Sequence, residues 1–405
     1  MKIVYLSASG ELGGAERSLL DILASFRQAE PDWPLYLVTG AHGPLVEAAR
    51  ALGIDTRVLP YPRSVARLGD SGLGSSIGSR LRLAVRLIRA LPDVLIYARR
   101  LSRTIRALAP QLVHSNGFKM HVLSTMSSLR DTRVVWHVHD FVSNRRIMAN
   151  LLRRLARRCS AVIANSDSVA QDVRMAFGER MRVTRVYNAV DLERFDARGS
   201  TADLDVLAGA SPAPAGAVRV GLIATLARWK GHEVFLAAIA LLPTSLSVRA
   251  YVISGALYQT EGSQFTIAHL RERANALGIA DRVAFTGFVT DPSAAMRALD
   301  IVVHASTEPE PFGLVIAEAM ACGRPVVVSA GGGAAELVTP GFDALTHAPG
   351  DTPGLAAAIE RLALEPALRE ALGERAAATA RRRFDRVRLA PEIRTVYEHA
   401  RGARR

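Results

Sequence analysis

The chain is short of several things, and each shortage narrows its class. It has two cysteines, Cys159 and Cys322, far apart in 405 residues. That argues against a disulfide framework and for a reducing compartment. No apolar run reaches the roughly 20 residues of a membrane span. The opening MKIVYLSASG carries one charge and a brief apolar run, so it reads as a first strand and not as a signal peptide. Aromatic residues are 6% of the chain, few to interleave with basic ones as a stacking platform for nucleic acid. No G-x-G-x-x-G follows the first strand, and no Asp-x-Asp stands at a strand end to hold a divalent cation. Lysine is nearly absent: Lys2, Lys119 and Lys230 are the only ones, and the rest of the 51 basic residues are arginine.

What is present starts with length and charge. A chain of 405 residues is too long for one core and implies two domains of ordinary size. The formal charge of +13 could draw nucleic acid, an anionic bilayer or nucleotide-bearing substrates. Along the chain, 2–8 reads as a buried strand, 9–14 as a loop and 15–26 as a helix with Leu19, Leu20, Ile22 and Leu23 inward. Strand, glycine-bearing loop and helix open a doubly wound α/β domain. Gly13 and Gly14 at that helix start suit either a tight turn or the approach of a phosphate or acceptor.

Residues 35–39 and 55–59 read as further strands, and 60–79 as irregular. From Arg80 to Ala109 the pattern is helical. Arg82, Arg86 and Arg89 share one face, and Arg99, Arg100, Arg103 and Arg106 carry the basic character past Pro92. Such a helix is either a solvated face or a surface that lies on an anionic membrane. Strands at 111–114 and 133–136 end in polar clusters, the second in His137-Val138-His139-Asp140. Open α/β sheets bind ligands at strand carboxyl ends. His-x-His is also a metal pair, but no third ligand at suitable spacing supports one.

Residues 196–216 are Ala, Gly, Ser and Pro with little periodicity, and read as an interdomain linker. From Ala217 the α/β alternation restarts. Arg228-Trp229-Lys230-Gly231 opens the first helix of this half. A cation just before a helix N-terminus opposes the dipole unless an anion lies between them, so Lys230 reads as a diphosphate ligand. Asp291-Pro292-Ser293 is a further helix start, with Asp at the cap and Pro first.

The most telling stretch is HASTEPEPFGLVIAEAMACG, His304 to Gly323. It leaves the apolar run Ile301-Val302-Val303, crosses a polar loop and becomes a helix. Pro311 suits a helix start. The N–H groups near Phe312, Gly313 and Leu314 then form an anion site, which the glycine lets a phosphate approach. Glu310 and Glu318 flank it, eight positions apart. Carboxylates there suit hydroxyls of a sugar and a ribose, and not phosphate. Their ordinary readings are a cap and a solvated face, but Glu318 stands among Leu314, Val315, Ile316, Ala317, Ala319 and Met320 and is expected to be buried.

This stretch, with Pro325-Val326-Val327-Val328, Gly331-Gly332-Gly333 and Glu336 after it, resembles the Glu-x7-Glu region of retaining glycosyltransferases of family four. The resemblance runs over nearly the whole chain and is strongest from Gly221 to Glu336. It implies the GT-B fold: two Rossmann-like domains facing each other across a cleft. The expected organisation is 1–195 for the acceptor-side domain and 196–216 for the linker. The nucleotide-sugar domain is expected at 217–380, with a C-terminal helix at 381–405 crossing back to the first domain.

The resemblance also implies roles. Lys230 with Arg228 and the N–H groups of Gly313 and Leu314 would stabilise the leaving diphosphate. Glu318 would hold the ribose hydroxyls and Glu310 those of the donor sugar. His139 would face that sugar, and the backbone from Gly287 to Val289 would border the base. Gly13-Gly14 matches the family's glycine loop. Asn165-Ser166 and Asn188-Ala189-Val190-Asp191 match as structural closures, with Ala189 where the family usually carries Gly. The pattern departs at Thr225, where the family commonly has an arginine. The implied enzyme is a metal-independent hexosyltransferase without a cofactor. Its donor would be a nucleotide diphosphate sugar and its acceptor a glycan or lipid-linked molecule. It would be cytoplasmic, with the Arg80–Arg106 segment offering contact with the inner face of a membrane, and would bind no nucleic acid. The rival readings are a sugar-nucleotide epimerase on the same fold, a nucleic-acid binder and an inactive nucleotide-binding homologue.

Overall fold

The computed structural model describes residues 1–66, 77–127, 132–254 and 264–402, and for 77–88 the backbone alone. The chain divides into two compact units, Met1–Asn188 with Arg386–Arg405, and Ala189–Asp385.

The first unit carries a seven-stranded sheet: β1 Ile3–Ser7, β2 Leu35–Thr39, β3 Asp55–Val58, β4 Leu112–Asn116, β5 Arg133–Val138, β6 Ala161–Ala164 and β7 Val183–Arg185. Its order is β3-β2-β1-β4-β5-β6-β7, and every pairing is parallel. The strands IVYLS and LVHSN are buried on both faces, which is why they carry so few charged residues. Helices connect successive strands, among them Gly14–Ala29, Ile77–Leu108, Phe118–Ser127 and Arg146–Leu155. The C-terminal helix Leu389–Gly402 belongs to this unit: Tyr397 stacks on Phe26 at 5.6 Å, and its hydroxyl meets His114 Nδ1 at 2.7 Å.

The second unit carries β8 Val218–Ile223, β9 Val248–Ile253, β10 Val283–Phe285, β11 Ile301–His304, β12 Val326–Ser329 and β13 Leu345–His347. The order is β10-β9-β8-β11-β12-β13, again all parallel. Both sheets therefore reverse direction beside their first strand, between β1 and β4 and between β8 and β11. A reversal leaves a crevice outside the strand carboxyl ends, and that is where open α/β sheets bind ligands.

Several local expectations shift. The stretch 60–79 is not wholly irregular, because Arg63–Ala66 forms one helical turn and the long helix starts at Ile77, three residues before the expected Arg80. Pro92 lies inside that helix. The side chains of Arg82 and Arg86, part of the expected basic face, lie outside the described residues. The stretch 196–216 carries a short helix, Leu204–Ala208, and is fastened to the second unit. There Asp205 accepts hydrogen bonds from the Tyr251 hydroxyl at 2.8 Å and from Arg219 at 3.4 Å. Asp291 caps its helix as expected, accepting from the N–H groups of Ser293 and Ala294.

Candidate active site

In the second unit the loop after β8 and the loop after β11 meet at the sheet's reversal. The first passes through a single turn, Arg228–Lys230, and reaches Gly231, whose φ of 76° is left-handed. A Cβ on Gly231 would stand 1.8 Å from the Ala305 carbonyl oxygen, so only glycine allows the two loops to touch. The Trp229 carbonyl then accepts from Thr307 N at 2.7 Å and from Thr307 Oγ1 at 3.2 Å. The consequence is that Lys230 is aimed at Glu310. Lys230 Nζ lies 2.8 Å from Glu310 Oε1 and 2.7 Å from Oε2, and 4.0 Å from the centre of the Trp229 ring.

Glu310 is 7% exposed. Its loop is fixed through the backbone, with Glu310 N donating to the Gly331 carbonyl at 3.1 Å and Gly333 N donating to the Glu310 carbonyl at 2.7 Å. Ser306 Oγ donates to Glu310 Oε2 at 2.8 Å, and His304 Nε2 lies 3.2 Å from the same oxygen. Burial pushes the carboxyl pKa up, but Lys230 and the His304 contact more than reverse this and hold it well below the usual carboxylate range. Glu310 is a buried anion whose charge is compensated by its neighbours.

The helix after Glu310 starts later than expected. Gly313 is its N-cap, at a left-handed φ of 93°, and the helix runs Leu314–Ala321. Pro311 therefore precedes the cap and does not open the helix. The N–H groups of Gly313 at the cap and of the first turn from Leu314 on are those that an anion would meet. Phe312 and Gly313 are buried, and Leu314, Val315 and Glu318 are half-buried. Those last three fall at i, i+1 and i+4, so one face of the helix is open. Glu318 lies on it and is not the buried residue its apolar neighbours suggested.

The remaining residues named in this unit are dispersed. The Arg228 guanidinium lies over the Phe265 ring at 4.6 Å. Gly287, at φ 72°, and Val289 follow β10, two strands away from β8, with exposed Phe288 between them. His232, the first residue of the helix after Gly231, is buried with Nε2 3.0 Å from Ser254 Oγ. Burial, with Lys230 nearby, pushes its pKa down to about 4.

In the first unit, Gly13 is the N-cap of the Gly14–Ala29 helix, as expected. No described residue lies within 4 Å of where a Cβ on Gly14 would stand, so packing among them does not demand that glycine. Glu16 is buried at the third helical position and accepts from the Gly13 backbone N–H, the reach-back half of a capping box. Burial raises its pKa to about 7. His139, just past β5, sets Nε2 2.5 Å from Asn116 Oδ1, and Asn116 Nδ2 donates to the Ala15 carbonyl at 3.1 Å. The structure thus ties His139 to the start of the glycine-led helix. Asn165 Nδ2 donates to the His139 carbonyl, and Ser166 caps the next helix by accepting from Val169 N. Ser18 Oγ donates to Asn188 Oδ1 at 2.8 Å. Behind His139 stand His114, His121 and His137, all buried, with the His137 and His139 rings 4.0 Å apart.

Sequence reasoning passed over His304, Ser306 and Asn116. His304 and Ser306 begin the very loop it singled out, and Asn116 ends a strand beside the sheet's reversal. Polar residues at the carboxyl end of an apolar strand were the available signal. Among the described residues no group of three or more His, Cys, Asp or Glu side chains forms a metal site.

Two parallel α/β units, each gathering polar side chains where its sheet reverses, define a class of two-unit Rossmann-like proteins. The family comparisons give the particular assignment. Residues 210–379 match the glycosyl transferases group 1, and residues 12–194 match glycosyltransferase family 4. The lipopolysaccharide core biosynthesis mannosyltransferase LpcC of Rhizobium leguminosarum bv. viciae is 33% identical over 252 residues, 62% of this chain and 68% of that protein. The lipopolysaccharide core biosynthesis glycosyltransferase LpsD of Rhizobium meliloti is 41% identical over 115 residues, 28% of this chain and 33% of its own. The matches thus span about a third to two thirds of these relatives' lengths. The crystal structure of Anabaena Alr3699/HepE in complex with UDP superposes with a TM-score of 0.78 at 28% identity, covering 98% of this chain and 100% of that one. The chain belongs to the group 1 glycosyl transferases and has the GT-B fold.

Proposed function

We propose that this protein transfers a sugar from a nucleotide diphosphate sugar to an acceptor hydroxyl, with retention of anomeric configuration. The observation that carries the proposal is the pairing of half-buried Lys230 with buried Glu310 at the reversal between β8 and β11, beside the open first turn of the Leu314–Ala321 helix. Lys230 and the N–H groups at Gly313 and Leu314 neutralise the diphosphate as it leaves. Glu318, on the open face, accepts from the ribose hydroxyls, and Glu310 from those of the donor sugar. Arg228 adds a cation from its place over Phe265, and the backbone at Gly287 and Val289 borders the base. Protein cations and helix dipoles do the work of a metal ion, so no metal or other cofactor is needed. No residue is assigned as a covalent nucleophile, so the acceptor attacks on the face the diphosphate leaves, with that diphosphate taking the proton.

The names of LpcC and LpsD favour an acceptor in lipopolysaccharide core assembly, and the UDP and UDP-glucose complexes of HepE favour a nucleotide sugar donor. A lipid-linked acceptor suits a membrane-facing surface. On the Ile77–Leu108 helix, Leu91, Leu95 and Ile96 are exposed together with Arg99, Arg100 and Arg103, which supports docking on an anionic inner membrane face. No helix among the described residues is long and apolar enough to cross a membrane.

The test is thermal stability against UDP, GDP, ADP and CDP without metal, for the wild type and Glu318→Ala. A nucleotide at a hundred times its dissociation constant stabilises by about 2.7 kcal/mol. One of the four should stabilise the wild type and not the variant. Failure of all four would overturn the proposal.

A further inference from the structure

We propose that the Lys230–Glu310 pair is a resting contact which the donor's diphosphate displaces, and that His304 and Ser306 are positioning residues that hold Glu310 once Lys230 has left it. This rests on the function proposed above and concerns how the same site is loaded.

The argument begins with how many hydrogen bonds each group can make. A carboxylate offers about four acceptor directions on its two oxygens. Glu310 Oε1 meets Lys230, and Oε2 meets Lys230, Ser306 and His304, the contacts lying between 2.7 and 3.2 Å. Little is left to receive a sugar hydroxyl. Lys230 has three N–H donors. It turns two of them on Glu310 while its ammonium rests against the Trp229 ring. Each group thus occupies the other's ligand position. A diphosphate offers Lys230 more negative charge than one carboxylate does. Its arrival draws the ammonium away and opens Glu310 Oε1.

That exchange strips a buried anion of its cation, which is unfavourable unless other donors remain. Ser306 and His304 are those donors, both on Oε2 and both on fixed backbone. The Ser306 carbonyl accepts from Ser329 Oγ at 2.6 Å, and the His304 carbonyl lies 3.4 Å from His347 Nε2. His304 Nδ1 meets no partner among the described residues, so the ring proton belongs on Nε2, which faces the carboxylate. With Oε2 held from behind, Oε1 keeps its direction toward the sugar.

Calorimetry on the full chain separates the parts, using UDP and GDP as bare nucleotides and UDP-glucose and GDP-mannose as sugar nucleotides. If the wild type binds none of them, the functional reading fails before any variant is made. If it binds, Glu310→Gln should bind the bare nucleotide several-fold tighter than wild type, because Lys230 is already released, and Lys230→Gln at least tenfold more weakly. Equal or weaker nucleotide binding by Glu310→Gln overturns the exchange. His304→Leu and Ser306→Ala should keep the bare-nucleotide dissociation constant within twofold and weaken the sugar nucleotide about tenfold. His304→Gln, whose amide still donates, should restore it. Equal losses for both ligands, or no loss for either, overturn the positioning role. Ser306→Ala decides that role if His304→Leu does not fold.

Discussion

Acidification should loosen the first unit well before it reaches the carboxylates that usually govern acid unfolding. His114, His121 and His137 are buried and His139 is half-buried against His137, and desolvation, reinforced by their mutual repulsion for all but His139, holds each below the ordinary histidine value. His114 and His139 fall to about 3. A group whose folded pKa is depressed contributes stability that is present above its unfolded pKa, near 6.5, and is lost as the pH falls toward the folded value. One pH unit below 6.5, each histidine that cannot take up a proton costs about 1.4 kcal/mol, so four cost roughly 5–6 kcal/mol. Glu16 works in the opposite sense. Its pKa is raised to about 7, so it gains protons on folding between that value and its unfolded one. It returns about 2 kcal/mol at the same pH, leaving a net loss of roughly 4 kcal/mol against a total that is typically 5–15. Glu310 does not enter this window, because a lowered carboxylate loses stability only below its ordinary range. The assay is urea unfolding at about pH 7.5 and 5.5, with amide exchange to locate the weakened strands. Exchange should rise in β4 and β5 first. His137, whose two ring nitrogens meet no partner among the described residues, offers the variant: His137→Phe should gain about 1.4 kcal/mol more at pH 5.5 than at 7.5. Equal effects at the two pH values, or unchanged exchange in β4 and β5, would refute the reasoning.

Two further outcomes follow from the proposed chemistry and from the place beside the donor sugar that the family resemblance implies for His139. His139→Ala should abolish donor turnover and leave nucleotide-dependent stabilisation within about 0.5 kcal/mol of wild type, since the nucleotide groups assigned here all lie in the other unit. Parallel thermal and turnover measurements check this. Exhaustive chelation should leave the transfer rate unchanged, because Lys230 and helix N–H groups are assigned the role of a cation; a loss restored by one divalent ion would refute that.

Much of this was legible because buried parallel strands advertise themselves. Val326 to Val328 and Ile301 to Val303 are continuous β-branched runs, and Asp291-Pro292 announces its helix by cap chemistry alone. The residues of the site were legible as types, yet not as partners. Lys230 and Glu310 are far apart in sequence, and only the strand order, which places β11 beside β8, makes them neighbours. Glu318 misleads because a helix apolar in composition suggests burial all round. At eight residues it covers little more than two turns, and the face carrying Leu314, Val315 and Glu318 is left open. The stretch 196–216 has a linker's composition, but Asp205 binds it to the second unit through Arg219 and Tyr251, and Arg297 holds it again by donating to the Asp196 and Ser200 carbonyls. Hydrogen-bond partners such as His304 and Ser306 leave no periodic trace in a sequence, since one polar residue at a strand end has many possible partners.

The meeting of the two loops rests on one glycine, and two substitutions isolate what it does. Gly231 and Gly287 both have left-handed backbones, at φ 76° and 72°. Alanine at either position therefore carries the same conformational penalty, about 1 kcal/mol. Their surroundings differ completely. Among the described residues nothing stands within 4 Å of an added Cβ at Gly287, whereas at Gly231 the Ala305 carbonyl oxygen would be 1.8 Å away. Carbon and oxygen cannot approach so closely, so the Gly231 loop must withdraw from β11 and take Lys230 with it. Gly287→Ala should then cost about 1 kcal/mol of stability and Gly231→Ala at least about 3 kcal/mol, with nucleotide-dependent stabilisation lost as well. If the two alanine variants melt together, left-handed strain accounts for both, and the contact between Gly231 and Ala305 does not position Lys230.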